Sequence, residues 1–237
     1  MKTRNLPFIL ALLFIGVFGY LFLLKKQRLT STNFNAEIPT GFSGFGIDVS
    51  HHQGKINWDI LLDTSLTHPD IDFVYLKATE GKDHLDSRWD YNKNSLKDRN
   101  VRTGAYHFFN PKKLPLPQAL HFMNYWTPSD TDLPPVLDVE TEGFSDEDLR
   151  HKMLRWLKTV EDSTGMRPII YTSRHFYENK LRGYFPGYQF WIASYSGNPG
   201  IPGDSSIIHW QFSESADLPH HRGIKVDLNV SKIPFRH

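Results

Sequence analysis

The stretch Pro134-Pro135-Val136-Leu137-Asp138-Val139-Glu140 carries the residues best suited to acid–base chemistry. On an extended strand alternate side chains share a face, so Asp138 and Glu140 point one way while Leu137 and Val139 point the other. Their Cα atoms then lie roughly 6.5 Å apart at about 3.3 Å per residue, close enough for each carboxyl to alter the other's ionisation. A D-x-E triplet alone also fits a solvated strand edge. The aliphatic neighbours Val136, Leu137 and Val139 point instead to a buried strand, where unpaired acids are rare outside functional sites.

Other polar residues gather at the ends of further apolar runs. Candidate strands are Phe45–Ser50, Phe73–Thr79, Thr103–Phe109, Pro134–Glu140, Pro168–Ser173, Phe190–Ser196, Ile207–Phe212 and Lys225–Val230. The first supplies Asp48, Ser50, His51 and His52, the second Lys77, Thr79 and Glu80, and the third Tyr106, His107 and Phe108. Tyr171 comes from the fifth, Trp191 and Tyr195 from the sixth, Trp210 and Gln211 from the seventh, and Asp227 and Asn229 from the eighth. Four acids from three strands therefore meet on one rim if the strands form a barrel. Aromatic rings around acids suit a carbohydrate cleft, because sugar C–H faces stack on rings while hydroxyls need polar partners.

The elements that must hold these residues alternate. Asn57 is positioned to cap a helix carrying Trp58, Leu61 and Leu62, and Asp86 one carrying Trp89 and Leu96. A third helix is expected over about 118–126. The clearest spans Ser145–Gly165, with Ser145 and Asp148 resembling a capping box, an apolar stripe of Leu149, Met153, Trp156, Leu157 and Val160, and Gly165 as its stop. After Tyr195 the gaps shorten and fill with Gly, Pro and Ser. The expectation is an α/β fold, a closed or nearly closed parallel barrel whose last third lacks helices, with its site at the C-terminal strand ends.

Several of these residues have plainer readings. Lys77 in a buried strand calls for a salt link to the acid cluster rather than a catalytic role. Tyr106, Tyr171, Trp191 and Trp210 suit a barrel core as well as a sugar. His51, His52, Asp48 and His209 do not make a metal site, since adjacent histidines on a strand face opposite ways. Glu142 and the run Asp146-Glu147-Asp148 read as a solvated loop and a helix start that favours negative charge. No glycine-rich phosphate loop follows a strand, so no nucleotide cofactor is expected.

The chain has 237 residues, 14% of them aromatic, and no cysteine, which excludes disulfides and thiolate chemistry. Its net charge of +1 is misleading: Lys2, Arg4, Lys25, Lys26 and Arg28 sit in the first 30 residues without an acid, and the other 22 bases face 26 acids. Nothing here favours nucleic acid. Leu6 to Leu24 is a 19-residue apolar run flanked by bases, long enough to span a bilayer. It reads as a transmembrane anchor or uncleaved signal within residues 1–30, followed by a tether over 31–43 and a catalytic domain over 44–237. The bases on its two flanks, Lys2 and Arg4 against Lys25, Lys26 and Arg28, are nearly balanced and leave the side of the membrane open.

Seven phrases in order carry a resemblance: Gly46-Ile47-Asp48-Val49-Ser50, Tyr75-Leu76-Lys77-Ala78-Thr79-Glu80-Gly81, Gly104-Ala105-Tyr106-His107-Phe108, Leu137-Asp138-Val139-Glu140, Trp191-Ile192-Ala193-Ser194-Tyr195, His209-Trp210-Gln211 and Val226-Asp227-Leu228-Asn229. Together they resemble the glycoside hydrolase family 25 lysozymes, the Chalaropsis-type N-acetylmuramidases. The resemblance implies a flattened, irregular TIM-like barrel of eight strands. It also implies hydrolysis of the β-1,4 bond between N-acetylmuramic acid and N-acetylglucosamine in peptidoglycan, and with that substrate a membrane-anchored enzyme whose domain lies in the periplasm or outside the cell, or a secreted one if the N-terminal segment is cleaved; a monomer without cofactor is expected. Glu140 matches the family's proton donor, Asp138 the companion acid on the same strand, and Asp48 a further active-site acid. Asp227, Lys77, Tyr106, Phe108, Tyr171, Trp191, Tyr195, Trp210 and Gln211 form the expected substrate-binding set. The competing readings are a membrane-tethered peptidoglycan-binding module without catalysis and a glycosidase acting on chitin-like glycan.

Overall fold

The computed structural model describes residues 29–31, 33–131, 133–197 and 203–235, with the side chains of 29–31 left out. The apolar run Leu6–Leu24 lies outside them, and among the described residues no helix is long and apolar enough to cross a membrane.

Eleven strands are described: β1 (Leu29–Ser31), β2 (Ala36–Ile38), β3 (Gly44–Val49), β4 (Phe73–Glu80), β5 (His84–Leu85), β6 (Arg102–Phe108), β7 (Val136–Asp138), β8 (Ile169–Ser173), β9 (Gln189–Ala193), β10 (Ile207–Asp217) and β11 (Lys225–Ser231). Eight of them close a barrel in the order β3-β11-β10-β9-β8-β7-β6-β4, with β4 returning to β3. All eight expected strands are present. One feature differs from an all-parallel barrel: β11 runs antiparallel to both neighbours, β10 and β3. The link from β10 to β11 is too short for the dozen or more residues a parallel crossover needs. The reversal puts the start of β11, rather than its end, on the rim where the parallel strands finish.

Period-two alternation divides the barrel into an inside and an outside. Phe73, Tyr75, Val136, Ile169, Tyr171 and Trp191 fill the interior, while Val74, Leu76, Leu137, Ile170, Ile192 and Leu228 face the outer layer. Two glycines make the interior fit. A Cβ on Gly46 would lie 2.6 Å from the Phe73 ring, and one on Gly104 would lie 2.1 Å from that of Tyr75. Only glycine leaves room for these rings to cross the barrel floor.

Five α-helices are described: α1 (Trp58–Leu61), α2 (Trp89–Leu96), α3 (Pro115–Tyr125), α4 (Asp146–Thr164) and α5 (Arg174–Phe176), the last running on as a π-helical turn over Tyr177–Leu181. Asn57 caps α1 through Ile60 N. Ser145 caps α4 through Asp148 N, and Gly165 ends that helix in the left-handed region at φ 71°. The stripe of α4 is buried as its spacing predicts. Asp86 does not cap α2. Its carboxylate accepts from His51 N, His51 Nδ1 and Arg88 N instead. Among the described residues no helix follows Leu181, as the short Gly- and Pro-rich links imply.

The stretch expected as a tether is partly folded. Phe34 and Ile38 are buried in the core, Phe34 packs edge-on against Phe45 at 5.2 Å, and its carbonyl accepts from Asp217 N. The folded body therefore reaches back at least to Phe34.

Candidate active site

A cavity of about 210 Å³ opens at the C-terminal ends of the parallel strands, lined by Asp48, Lys77, Tyr106, Phe108, Asp138, Glu140, Tyr171, Trp191, Gln211 and Asp227, and also by Ser50, His52 and Gln53. Each acid arrives by strand geometry. Asp48 and Asp227 are directly opposite one another across the β3–β11 pair. Asp138 ends β7, and Glu140, two residues on, shares its face but is solvent-exposed while Val139 between them is buried.

Asp48 is the best-coordinated of the four. Its Oδ2 accepts from Gln211 Nε2 at 3.0 Å and from Asn229 Nδ2 at 2.7 Å. Behind each amide stands an aromatic residue. Tyr171 and Tyr195 donate their hydroxyls to Gln211 Oε1 at 2.9 and 2.7 Å, and Trp191 Nε1 donates to Asn229 Oδ1 at 2.9 Å. With their oxygens occupied in this way, both amides must turn their NH₂ groups to Asp48.

The three inner acids hold protons above the ordinary carboxyl range. Burial pushes Asp48 up to about 6, offset by hydrogen bonds from Asn229 and Gln211. Asp227 is pushed up to about 9, first by burial and then by the charge and hydrogen bond of Asp48. Of this pair Asp227 keeps the proton and donates it to Asp48, which has amide donors to support a negative charge. Asp138 is raised well above its ordinary value, by burial first and then by the neighbouring Glu140. Its Oδ1 is buried without a hydrogen-bond partner, an unused polar atom at the cavity wall. The arrangement offers one exposed carboxyl, a buried carboxyl beside it, and a third held by amides opposite.

Most expected residues meet at this cavity, with three corrections. Trp210 is turned to the outer layer, where it packs against Phe42 and Phe212 and donates from Nε1 to the Ser194 carbonyl. Gln211 points inward, so its neighbour on the strand must point out. Lys77 lines the cavity over the Phe108 ring, but its ion pair is with Glu80 at 2.7 Å and not with the acid cluster. Tyr195 is 48% exposed and reaches the site only through its hydroxyl on Gln211. Asn229 went unassigned in the sequence, although its place two residues after Asp227 puts both on one face of β11. His51 is tied to Asp86, and His209 lies on the barrel floor against Phe73. Among the described residues no group of three His, Cys, Asp or Glu side chains could hold a metal ion.

Comparison with known proteins places this geometry in context. The family described as glycosyl hydrolases family 25 matches residues 47–221. The uncharacterized protein YegX of Escherichia coli (strain K12) is 36% identical over 201 residues, covering 84% of this chain and 73% of that protein. Lysozyme M1 of Streptomyces globisporus is 31% identical over 212 residues, covering 82% and 69%. A solved family 25 glycosyl hydrolase from Bacillus anthracis superposes with a TM-score of 0.71 at 27% identity, covering 80% of this chain and 89% of that one.

Proposed function

The chain belongs to glycosyl hydrolases family 25, a glycoside hydrolase family, and from that premise we propose that it is a lysozyme cleaving the β-1,4 bond between N-acetylmuramic acid and N-acetylglucosamine in peptidoglycan. The observation that carries the reading is the exposed Glu140 beside the buried, part-unpartnered Asp138, opposite Asp48 in its cradle of amides. Burial first, and then the charge of Glu140, keep a proton on Asp138, two residues from Glu140 on the same face. Glu140, the member of this pair in contact with solvent, delivers it to the glycosidic oxygen as the C1–O bond breaks.

Asp138, then a carboxylate, accepts the N–H of the substrate's 2-acetamido group and aims its carbonyl oxygen at C1. That oxygen closes on C1 as the leaving sugar departs with the proton from Glu140. A water then gives its proton to Glu140 and opens the ring from the same face, so configuration is retained. Asp48 stabilises the positive charge that develops on the sugar. Lys77, Tyr106, Phe108, Tyr171 and Trp191 surround the sugar, with Gln211 and Asp227 acting through Asp48. We further propose that the apolar run Leu6–Leu24 tethers the enzyme to a membrane with its barrel on the side of the wall.

The test is mass spectrometry of purified peptidoglycan after digestion by the full chain, with new reducing ends reduced and identified. N-acetylmuramic acid at those ends is expected. N-acetylglucosamine there would make it a glucosaminidase, cleavage of chitin but not wall glycan would make it a chitin-type glycosidase, and binding without cleavage would leave a tethered binding module.

A further inference from the structure

The loop from Glu140 into α4 presents an apolar ring to solvent. Phe144 is 76% exposed, and among the described residues no large hydrophobic side chain is more so. Exposing a phenyl ring adds nothing to folding, so a loop free to move would turn it inward. This loop is held. Lys180 bridges Glu142 at 3.2 Å and Asp146 at 2.8 Å, fixing both sides of the phenylalanine. Lys152 pairs with Asp148 at 2.7 Å and donates to the Pro111 carbonyl at 2.9 Å, joining the loop to the one that follows β6. The same Lys152 ammonium stands 5.1 Å from the Phe144 ring centroid. One face of the ring is thus occupied by a cation and the other is open.

Position gives the ring its meaning. Phe144 stands four positions after Glu140, so their Cα atoms are at most about 14 Å apart. A polymeric glycan lying over Glu140 continues past the two sugars on each side of the cleaved bond. Pyranose rings carry an apolar C–H face suited to an aromatic ring. Resting on the reading of the site given above, we propose that Phe144 is a stacking platform for a further pyranose of the glycan strand, extending the cleft along the β7–α4 loop. Tyr195, exposed on the loop after β9, is tied by its hydroxyl to Gln211 and cannot serve in the same way without disturbing Asp48.

Phe144→Ala in the full chain tests this on long purified glycan strands and on a tetrasaccharide cut from them. KM on the long strands should rise about three- to tenfold, the range expected for one lost aromatic contact, with kcat and the melting temperature unchanged and the tetrasaccharide cleaved as before. Phe144→Trp should restore KM. Leu66→Ala, an exposed apolar residue in the loop leading into β4, should leave KM where it was. An unchanged KM on long strands, or an equal rise on the tetrasaccharide, would overturn the proposal while leaving the enzyme a lysozyme. If the parent protein cuts neither substrate, the lysozyme reading fails. Co-sedimentation of Glu140→Gln with and without Phe144→Ala on purified sacculi then still reads the platform: weaker retention supports it and equal retention overturns it.

Discussion

Two ends of one barrel interior treat buried polar groups in opposite ways. On the floor, His209 stacks on Phe73 at 5.4 Å and lies parallel to Phe235; its Nδ1 has no partner, and burial pushes it down to about 3. Two residues along the same strand, Gln211 also faces inward, but there it takes two phenol hydroxyls and gives a hydrogen bond to Asp48. The floor makes its polar group neutral and leaves it alone. The rim gives Asp48 two amide donors so that it can carry charge. Trp191 separates the two layers, its ring 4.9 Å from Tyr75 below and its Nε1 bound to Asn229 at the rim. Burial by itself therefore does not mark a site; burial with oriented donors does.

Substitutions should sharpen that contrast. The largest effect is expected from Glu140→Gln, which should cut glycan hydrolysis by about 10²- to 10⁴-fold, the share of a general acid, while the melting temperature holds because the side chain is exposed. Next comes Gln211→Leu. It strands the hydroxyls of Tyr171 and Tyr195 and removes a donor from Asp48, so stability should fall by about 1–3 kcal/mol in a denaturant titration, with kcat reduced as well.

Asp227→Asn should go the other way in stability. With Asp227 raised to about 9 from 3.8, the folded state binds the proton more tightly than the unfolded chain. The stability this gives is complete below the unfolded value and is lost as pH climbs towards the folded one. An asparagine removes that loss and still donates to Asp48. The variant should therefore melt higher than the parent, by more at about pH 8 than at about pH 5. The smallest effect belongs to the floor. His209 is lowered from 6.5 to about 3, so the unfolded chain takes the proton first and stability falls as pH drops through that window. His209→Phe should flatten this acid limb in pH-dependent melts and leave catalysis unchanged.

Much of this was legible in the residues. All eight barrel strands could be read from apolar runs, and the pairing of Asp138 with Glu140 from alternation alone. The direction of β11 was not read, although the short link before it excludes a parallel crossover. Trp210 was misassigned for a related reason. Proximity to Gln211 in sequence suggested a shared site, whereas adjacent strand residues face opposite ways. The amide cradle of Asp48 depends on contacts between residues 163 and 181 positions apart in the chain, which one sequence does not encode in any local pattern.

The central assignment, Glu140 as the group that protonates the leaving sugar, is tested most directly by changing the leaving group. Glu140→Gln should be assayed on wall glycan and on an aryl glycoside of the N-acetylglucosamine–N-acetylmuramic acid disaccharide whose phenol departs without a proton. If Glu140 is the acid, the variant loses most of its activity on glycan and far less on the aryl glycoside. Equal losses on both would contradict that role, as would full activity on glycan.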